Sequence, residues 1–121
     1  MGPTTRAMRV MAWGAMVALA ACQAKAVVAE PRAEAVDVEK ADPPPGSQGL
    51  GIVYAVHGGG CGVTGAEGNY DGAVMMLRNK AVERGGNYAQ ILTTIPPHTE
   101  NGCFDNRFVI RAVLYRTAAA R

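Results

Sequence analysis

The chain lacks an apolar run long enough to cross a membrane, and it lacks an excess of either charge. Its N-terminal apolar stretch, residues 10–21, covers 12 residues, whereas a helix needs roughly twenty to span a ~30 Å bilayer core. A resident transmembrane helix is therefore not expected. Lys and Arg total 12 and Asp and Glu total 10. If a leader containing Arg6 and Arg9 is removed, ten bases balance ten acids, which excludes the clustered basic surface of a nucleic-acid-binding protein.

The first 21 residues predict a signal peptide. Two arginines form a positive n-region, residues 10–21 form a short apolar h-region, and small residues follow, as export signals require. The sequence Leu19-Ala20-Ala21-Cys22 resembles the lipobox of bacterial lipoproteins. In that family the cysteine receives acyl chains such as palmitate, and the signal is cut just before it. Ordinary signal cleavage after Ala26 or Ala29 is the alternative.

Acylation of Cys22 predicts a protein held at a membrane surface. Each buried CH₂ of an acyl chain contributes about 0.8 kcal/mol, so several chains anchor a protein firmly. In the sorting rule of Gram-negative bacteria, an aspartate after the cysteine retains a lipoprotein in the inner membrane. Gln23 stands at this position, so the analogy predicts the periplasmic face of the outer membrane.

Residues 22–49 are predicted to form the lipidated cysteine and a flexible tether. Residues 23–48 mix alanine, charge and proline and contain no aromatic residue. Such a composition offers too little apolar surface to offset the entropy lost on ordering. The run Pro43-Pro44-Pro45-Gly46 ends any nascent helix. Fully extended, this tether would reach about 90 Å.

Three cysteines are an odd number for an exported protein, and lipidation of Cys22 leaves Cys61 and Cys103 to form a disulfide. Closing the 41 residues between them contributes about 4 kcal/mol on the chain-entropy estimate. With these cysteines paired, no Ser/His/Asp or Cys/His arrangement for nucleophilic catalysis remains. We therefore expect no enzymatic activity, no catalytic residue and no cofactor.

Residues 50–117 predict a small α+β domain of the order β-α-β-β, followed by a short tail at residues 118–121. The helix is placed on one face of a three-stranded or four-stranded sheet by a right-handed crossover. A domain of this size usually needs a stabilising crosslink, which the disulfide provides. The predicted strands are residues 50–57, 87–95 and 104–116, and the predicted helix is residues 70–84.

Periodicity distinguishes the helix from the strands. Apolar residues recur at i, i+4 and i+8 in the helix, where Asn69 or Asp71 can cap the first turn and Gly85-Gly86 ends the last one. In the last strand, every second residue is apolar and is expected to face the core, while the residues between them face the opposite side of the sheet. The predicted buried positions are Ala73, Met76, Leu77 and Ala81 on the helix and Phe108, Ile110, Ala112 and Leu114 on the last strand.

Several short motifs carry a family resemblance. They are Gly60-Cys61-Gly62, the helix sequence LRNKA at residues 77–81, the exit GGNY at residues 85–88, Gly102-Cys103 and the final Tyr115. Together they resemble small proteobacterial lipoproteins related to the outer-membrane sensor lipoprotein of the Rcs envelope-stress pathway. The resemblance covers about residues 50–117, and it extends to the lipobox and the tether that contains proline.

The resemblance implies a disulfide-stapled envelope domain. The sensor has two disulfides, and Cys61 and Cys103 match one of them. Apolar or hydroxyl residues near Leu92 and Val109 occupy the positions expected for the other. The resemblance therefore favours the fold and the envelope location more than it favours signalling.

Two local patterns admit a second interpretation. His57-x3-Cys61 and His98-x4-Cys103 have ligand types and spacings compatible with a Cys₂His₂ zinc site, although an oxidising envelope favours the disulfide. Residues 60–65 match the G-x-G-x-x-G pattern of a phosphate-binding loop. The predicted helix begins only at the fifth residue after Gly65, so the glycines are interpreted as giving a crowded loop room to turn around the disulfide.

The sequence thus predicts a lipid-anchored envelope protein that binds or senses rather than catalyses, with a metal-binding envelope module as the alternative. An envelope protein or peptidoglycan is the expected kind of partner, besides the membrane itself. The four tyrosines either mark a binding surface or pack against the core. They are Tyr54, Tyr70, Tyr88 and Tyr115.

Overall fold

The computed structural model describes residues 23–62 and 65–118. The predicted signal peptide and Cys22 lie outside these residues. A short 3₁₀ turn, Ala33–Ala35, precedes the strands, and one helix, α1, spans Tyr70–Glu83. The strands are β1 Asp37–Glu39, β2 Gln48–His57, β3 Tyr88–Ile95, β4 His98–Glu100, β5 Cys103–Asp105 and β6 Phe108–Arg116.

The fold is α+β, with one helix packed on a mixed four-stranded sheet. The strand order is β1-β3-β6-β2. The β2–β6 and β3–β6 pairs are antiparallel, while β1 runs parallel to β3. A second, two-stranded sheet is formed by β4 and β5. The predicted fold class and the four-stranded option are confirmed.

The core lies between α1 and one face of the sheet. Alternate residues of β6 point toward the helix, and Ile110, Ala112 and Leu114 are fully buried there. From the helix, Leu77 is fully buried together with the two alanines one turn away on either side. Burying a leucine side chain contributes about 2 kcal/mol. The predicted buried faces are confirmed, although Met76 and Phe108 are only partly buried against this core.

The ends of α1 are specified by local chemistry. Asn69 has extended backbone angles, and its side chain accepts a 2.8 Å hydrogen bond from the Gly72 amide, as an N-cap does. At the other end, Gly85 takes a left-handed φ of +72°. This allows the Gly86 amide to donate a 2.7 Å bond to the Ala81 carbonyl in the last turn, as in glycine-terminated helices.

The segment that we predicted as a flexible tether is packed on the domain, and we name residues 23–42 the strap. Ala33 is fully buried and Val36 is nearly so. Residues 37–39 form β1, the fourth strand of the sheet. A composition too poor in apolar residues to fold alone can still dock on an existing core, because only a few side chains must be buried.

The predicted strand 104–116 is divided in the structure. Cys103–Asp105 pairs with β4, and the long strand β6 begins only at Phe108. Asn106 turns inward at the break and is 6% exposed. Among the described residues, no helix has the length and apolar character needed to span a bilayer.

Candidate binding surface

One face of the four-stranded sheet is not covered by the helix. Strand alternation places every second residue of β2, β3 and β6 on this side. Cross-strand pairing arranges these residues in three rows. We name this surface the open face, and its rows are Val56–Val109–Ile95, Tyr54–Arg111–Thr93 and Ile52–Val113–Gln90.

The open face is unusually apolar for a surface in contact with water. Tyr54 is 57% exposed, Ile52 is 49% exposed and Ile95 is 46% exposed. Leu92, which lies at a bulge in β3, is also exposed. A contiguous exposed apolar patch typically marks an interaction site, whereas isolated exposed apolar residues carry no such meaning.

Arg111 is the one charged residue of the open face, and it lies in the central row. Tyr54 on β2 and Thr93 on β3 are its cross-strand neighbours. The residue is partly buried. Among the described residues, neither a salt bridge nor a side-chain hydrogen bond of Arg111 is observed. Arginine and tyrosine are, with tryptophan, the residues enriched at the energetic centres of protein interfaces.

One end of the sheet surface beside the open face is closed by the strap. The Tyr88 hydroxyl donates a 2.7 Å hydrogen bond to the Ala41 carbonyl, and the Gln90 amide donates a 2.9 Å bond to Asp42. Tyr115 packs edge-on against Tyr88 with ring centroids 6.3 Å apart. Burial raises the pKa of Tyr88, and the nearby carboxylate of Glu39 raises this pKa further.

The four tyrosines therefore divide between the two interpretations. Tyr88 is buried against the strap and Tyr115 is partly buried, whereas Tyr54 and Tyr70 are exposed. Only Tyr54 lies in the rows of the open face. Tyr70 packs edge-on against Phe108 at the start of α1, with ring centroids 5.7 Å apart.

A disulfide joins Cys61 and Cys103, as predicted, with their Cα atoms 5.8 Å apart. It connects the loop after β2 to the β4–β5 hairpin. Asn106 ties the same loop from beneath, because its side-chain amide donates to the carbonyls of Gly60 and Gly62 at 3.1 and 2.9 Å. The carbonyl groups of Gly60 and Gly62 in this loop thus point toward the Asn106 side chain.

A charged pair lies beside the disulfide. The Arg107 guanidinium donates a 2.7 Å hydrogen bond to Asp105. This side-chain bond lowers the pKa of Asp105 from 3.8 to about 2 and raises the pKa of Arg107. His98 contacts the Pro96 carbonyl at 3.0 Å and Glu100 at 3.1 Å. Both contacts raise the pKa of His98, the backbone contact more strongly.

His57 is buried and holds three parts of the chain together. Its Nδ1 accepts a 3.0 Å hydrogen bond from the Asn69 amide, at the start of α1. Nδ1 must therefore lack a proton, so Nε2 carries it. Nε2 donates a 2.9 Å bond to the Lys25 carbonyl in the strap. His57 thus joins the end of β2 to the helix and to the strap.

The alternative zinc site is not assembled in the described part of the chain. The two sulfurs are bonded to each other, and both ring nitrogens of His57 are engaged by backbone groups. Within residues 23–62 and 65–118, no group of three or more His, Cys, Asp or Glu side chains is placed to hold a metal ion.

The strap follows α1 and is fastened at both ends of this path. The Ala24 amide donates to the Glu67 carbonyl at 2.9 Å. Further along, the Asn79 side chain donates to the Val28 carbonyl and accepts from the Glu30 amide, each at 2.8 Å. A cleft of about 410 Å³ remains between the strap and the start of α1. The residue that follows Cys22 is therefore held against the folded domain.

Sequence reasoning did not single out Arg111, although a signal was present. The outward positions of β6 include Val109 and Val113 on either side of it. A strand side that faces only water normally carries polar residues. These flanking valines therefore indicate that the outward face of the sheet is apolar as well as the face that packs on the helix.

A comparison of the chain with protein families, curated proteins and solved structures finds no match.

Proposed function

We propose that this chain is a lipid-anchored cell-envelope protein whose non-catalytic domain binds or senses an envelope partner through the open face. The observation that carries the proposal is the exposed apolar sheet surface with Arg111 at its centre. Such a surface costs solubility in a monomer and is useful when a partner covers it. The proposed partner is an envelope protein with apolar contact groups and a carboxylate that pairs with Arg111.

The position of Arg111 explains how such a surface would discriminate between partners. The apolar rows on either side supply buried area, which has little directional preference. A guanidinium surrounded by these rows would lose water when a partner docks. It then requires an acceptor opposite it, because an unpaired buried charge is strongly unfavourable. Arg111 would therefore select a partner, while Ile52 and Tyr54 would contribute most of the contact area.

Anchoring at Cys22 is supported by the lipobox-like sequence Leu19-Ala20-Ala21-Cys22 and by the short apolar stretch before it. Feeding cells an alkyne-tagged fatty acid tests this part directly. The parent chain should become labelled, and Cys22→Ala should abolish the label. Mass spectrometry that finds an unmodified Cys22 in the mature chain would refute it.

The open face is tested by a photo-crosslinking residue at Leu92 in intact cells. A partner that covers this face should give one discrete crosslinked species, and Arg111→Glu should abolish it. A crosslinking residue at Glu83, which is exposed on α1, is the matched control for random collisions. Equal yields from the two positions, or a product unchanged by Arg111→Glu, would contradict the proposal.

A further inference from the structure

The two edges of the four-stranded sheet differ in how they are protected. Exposed edge strands tend to pair with other strands, and proteins usually block them with charge, proline or short length. The β1 edge has only three residues, and two of them are Asp37 and Glu39. The β2 edge has ten residues, QGLGIVYAVH, without a Lys, Arg, Asp, Glu or Pro. Within the described residues, no strand pairs with its outer side.

We propose that β2 pairs antiparallel with β2 of a second copy of this chain. The pairing would join two four-stranded sheets into one continuous sheet, with both helices on one side and both open faces on the other. This is an isologous contact about a twofold axis, the commonest symmetry of soluble oligomers. It goes beyond the proposed partner binding, since it uses the edge of the sheet rather than its face.

The register follows from the regular part of the strand. The pairing of β2 with β6 is interrupted by a bulge at Gly49/Gly51, after which it is regular to His57. The midpoint of residues 51–57 is Tyr54. A symmetric pairing of this stretch places Tyr54 opposite the second copy's Tyr54, and Ile52 opposite the second copy's Val56. Aromatic and β-branched cross-strand pairs of this kind stabilise sheets by about 0.2–1 kcal/mol each.

The antiparallel direction follows from the symmetry, because a twofold axis normal to the sheet reverses the direction of β2 in the second copy.

Cysteine crosslinking of the full chain in intact cells tests the register. Two cysteines form a disulfide when their Cα atoms lie about 4.4–6.8 Å apart, a distance that directly opposed residues satisfy. Tyr54→Cys should therefore give a disulfide-linked dimer on a non-reducing gel. Ile52→Cys alone should not, because its counterpart would lie about 14 Å further along the strand. Co-expression of Ile52→Cys with Val56→Cys should restore the dimer.

Leu92→Cys is the matched control, since Leu92 is exposed on the same sheet but lies on the internal strand β3. The parent chain sets the background for any reaction at Cys22. Equal dimer yields from Tyr54→Cys and Leu92→Cys would overturn the proposal, as would equal yields from every β2 position. A Tyr54→Cys adduct to a different protein in place of the dimer would also overturn it. Retention of the Cys61–Cys103 disulfide in each variant shows that the domain has folded.

A charge placed on the edge gives a second test that needs no thiol. Tyr54→Lys would set two cations opposite each other at the twofold axis. Amine crosslinking of the full chain should then yield several-fold less dimer than the parent does. Leu92→Lys adds the same charge and the same reactive amine away from the edge, and it should leave the yield unchanged. Loss of dimer in both variants, or in neither, would refute pairing through β2.

Discussion

Replacing Gly72 with alanine is expected to destabilise the domain, although alanine is the better helix former. Gly72 lies in the first turn of α1, directly beneath the ring of His57. A methyl group at position 72 would overlap the Nδ1, Cε1 and Cγ atoms of that ring. The ring cannot swing aside freely, because it is buried and both of its nitrogens are hydrogen-bonded.

The expected change in the free energy of unfolding follows from the contacts that the new methyl group would disturb. Helix propensity alone favours alanine over glycine by up to about 1 kcal/mol. Displacing His57 breaks its hydrogen bonds with Asn69 and Lys25, which contribute about 1 kcal/mol each. Overpacking adds about 1–3 kcal/mol. The free energy of unfolding of Gly72→Ala should therefore fall by about 2–4 kcal/mol.

Urea unfolding followed by circular dichroism measures this change. The informative control is a double-mutant cycle with His57→Ala, which removes the ring that the new methyl group would strike. In that background Gly72→Ala should be neutral or stabilising, as helix propensity predicts. A Gly72→Ala protein as stable as the parent would refute the reasoning. An equal loss in both backgrounds would show that the cause lies outside the His57 contact.

Three further predictions concern the disulfide, the charged pair and the strap. Replacing Cys61 and Cys103 together with serine should lower the free energy of unfolding in urea by about 4 kcal/mol, and a loss below about 1 kcal/mol would contradict that account. By NMR titration the pKa of Asp105 should be about 2 and should return toward 3.8 in Arg107→Gln. The stabilisation from ionised Asp105 is then present above pH 3.8 and lost as the pH falls toward 2, and an unshifted pKa in the parent would refute the pairing. Asn79→Ala should speed hydrogen exchange of strap amides and leave sheet amides unchanged, whereas uniform acceleration would indicate global destabilisation.

Local patterns were sufficient to predict the helix and the long strands. The spacing of Ala73, Leu77 and Ala81 and the alternation around Ile110 each reflect a buried face that the neighbouring sequence already specifies. The division between β5 and β6 depends instead on Asn106, whose partner Gly60 lies 46 residues away. A contact of that sequence separation leaves no periodic signal.

The strap and the open face were beyond sequence reasoning for different physical reasons. The prediction of a flexible tether rested on the amino-acid composition of residues 23–48 taken alone. Composition does not show that residues 23–42 pack on the domain, since the packing depends mainly on two buried residues, Ala33 and Val36. For the open face, the sequence allowed Tyr54 either a buried or an exposed position. Only the sheet order, which leaves β2 at an edge and one side uncovered, settles that its side chain is exposed.

Because the strap is hydrogen-bonded to the domain, it limits how far the domain can move from position 22 of the chain. With Cys22 acylated as proposed, Gln23 is already fixed at Glu67, so the folded body would rest against the lipid headgroups with little slack. A partner would then have to approach the bilayer rather than be met at the end of a long stalk. Release of residues 23–36 alone would let the domain move away by roughly 50 Å. In a protein anchored at Cys22 as proposed, the hydrogen bonds of His57 and Asn79 would then set the height of the domain above the membrane.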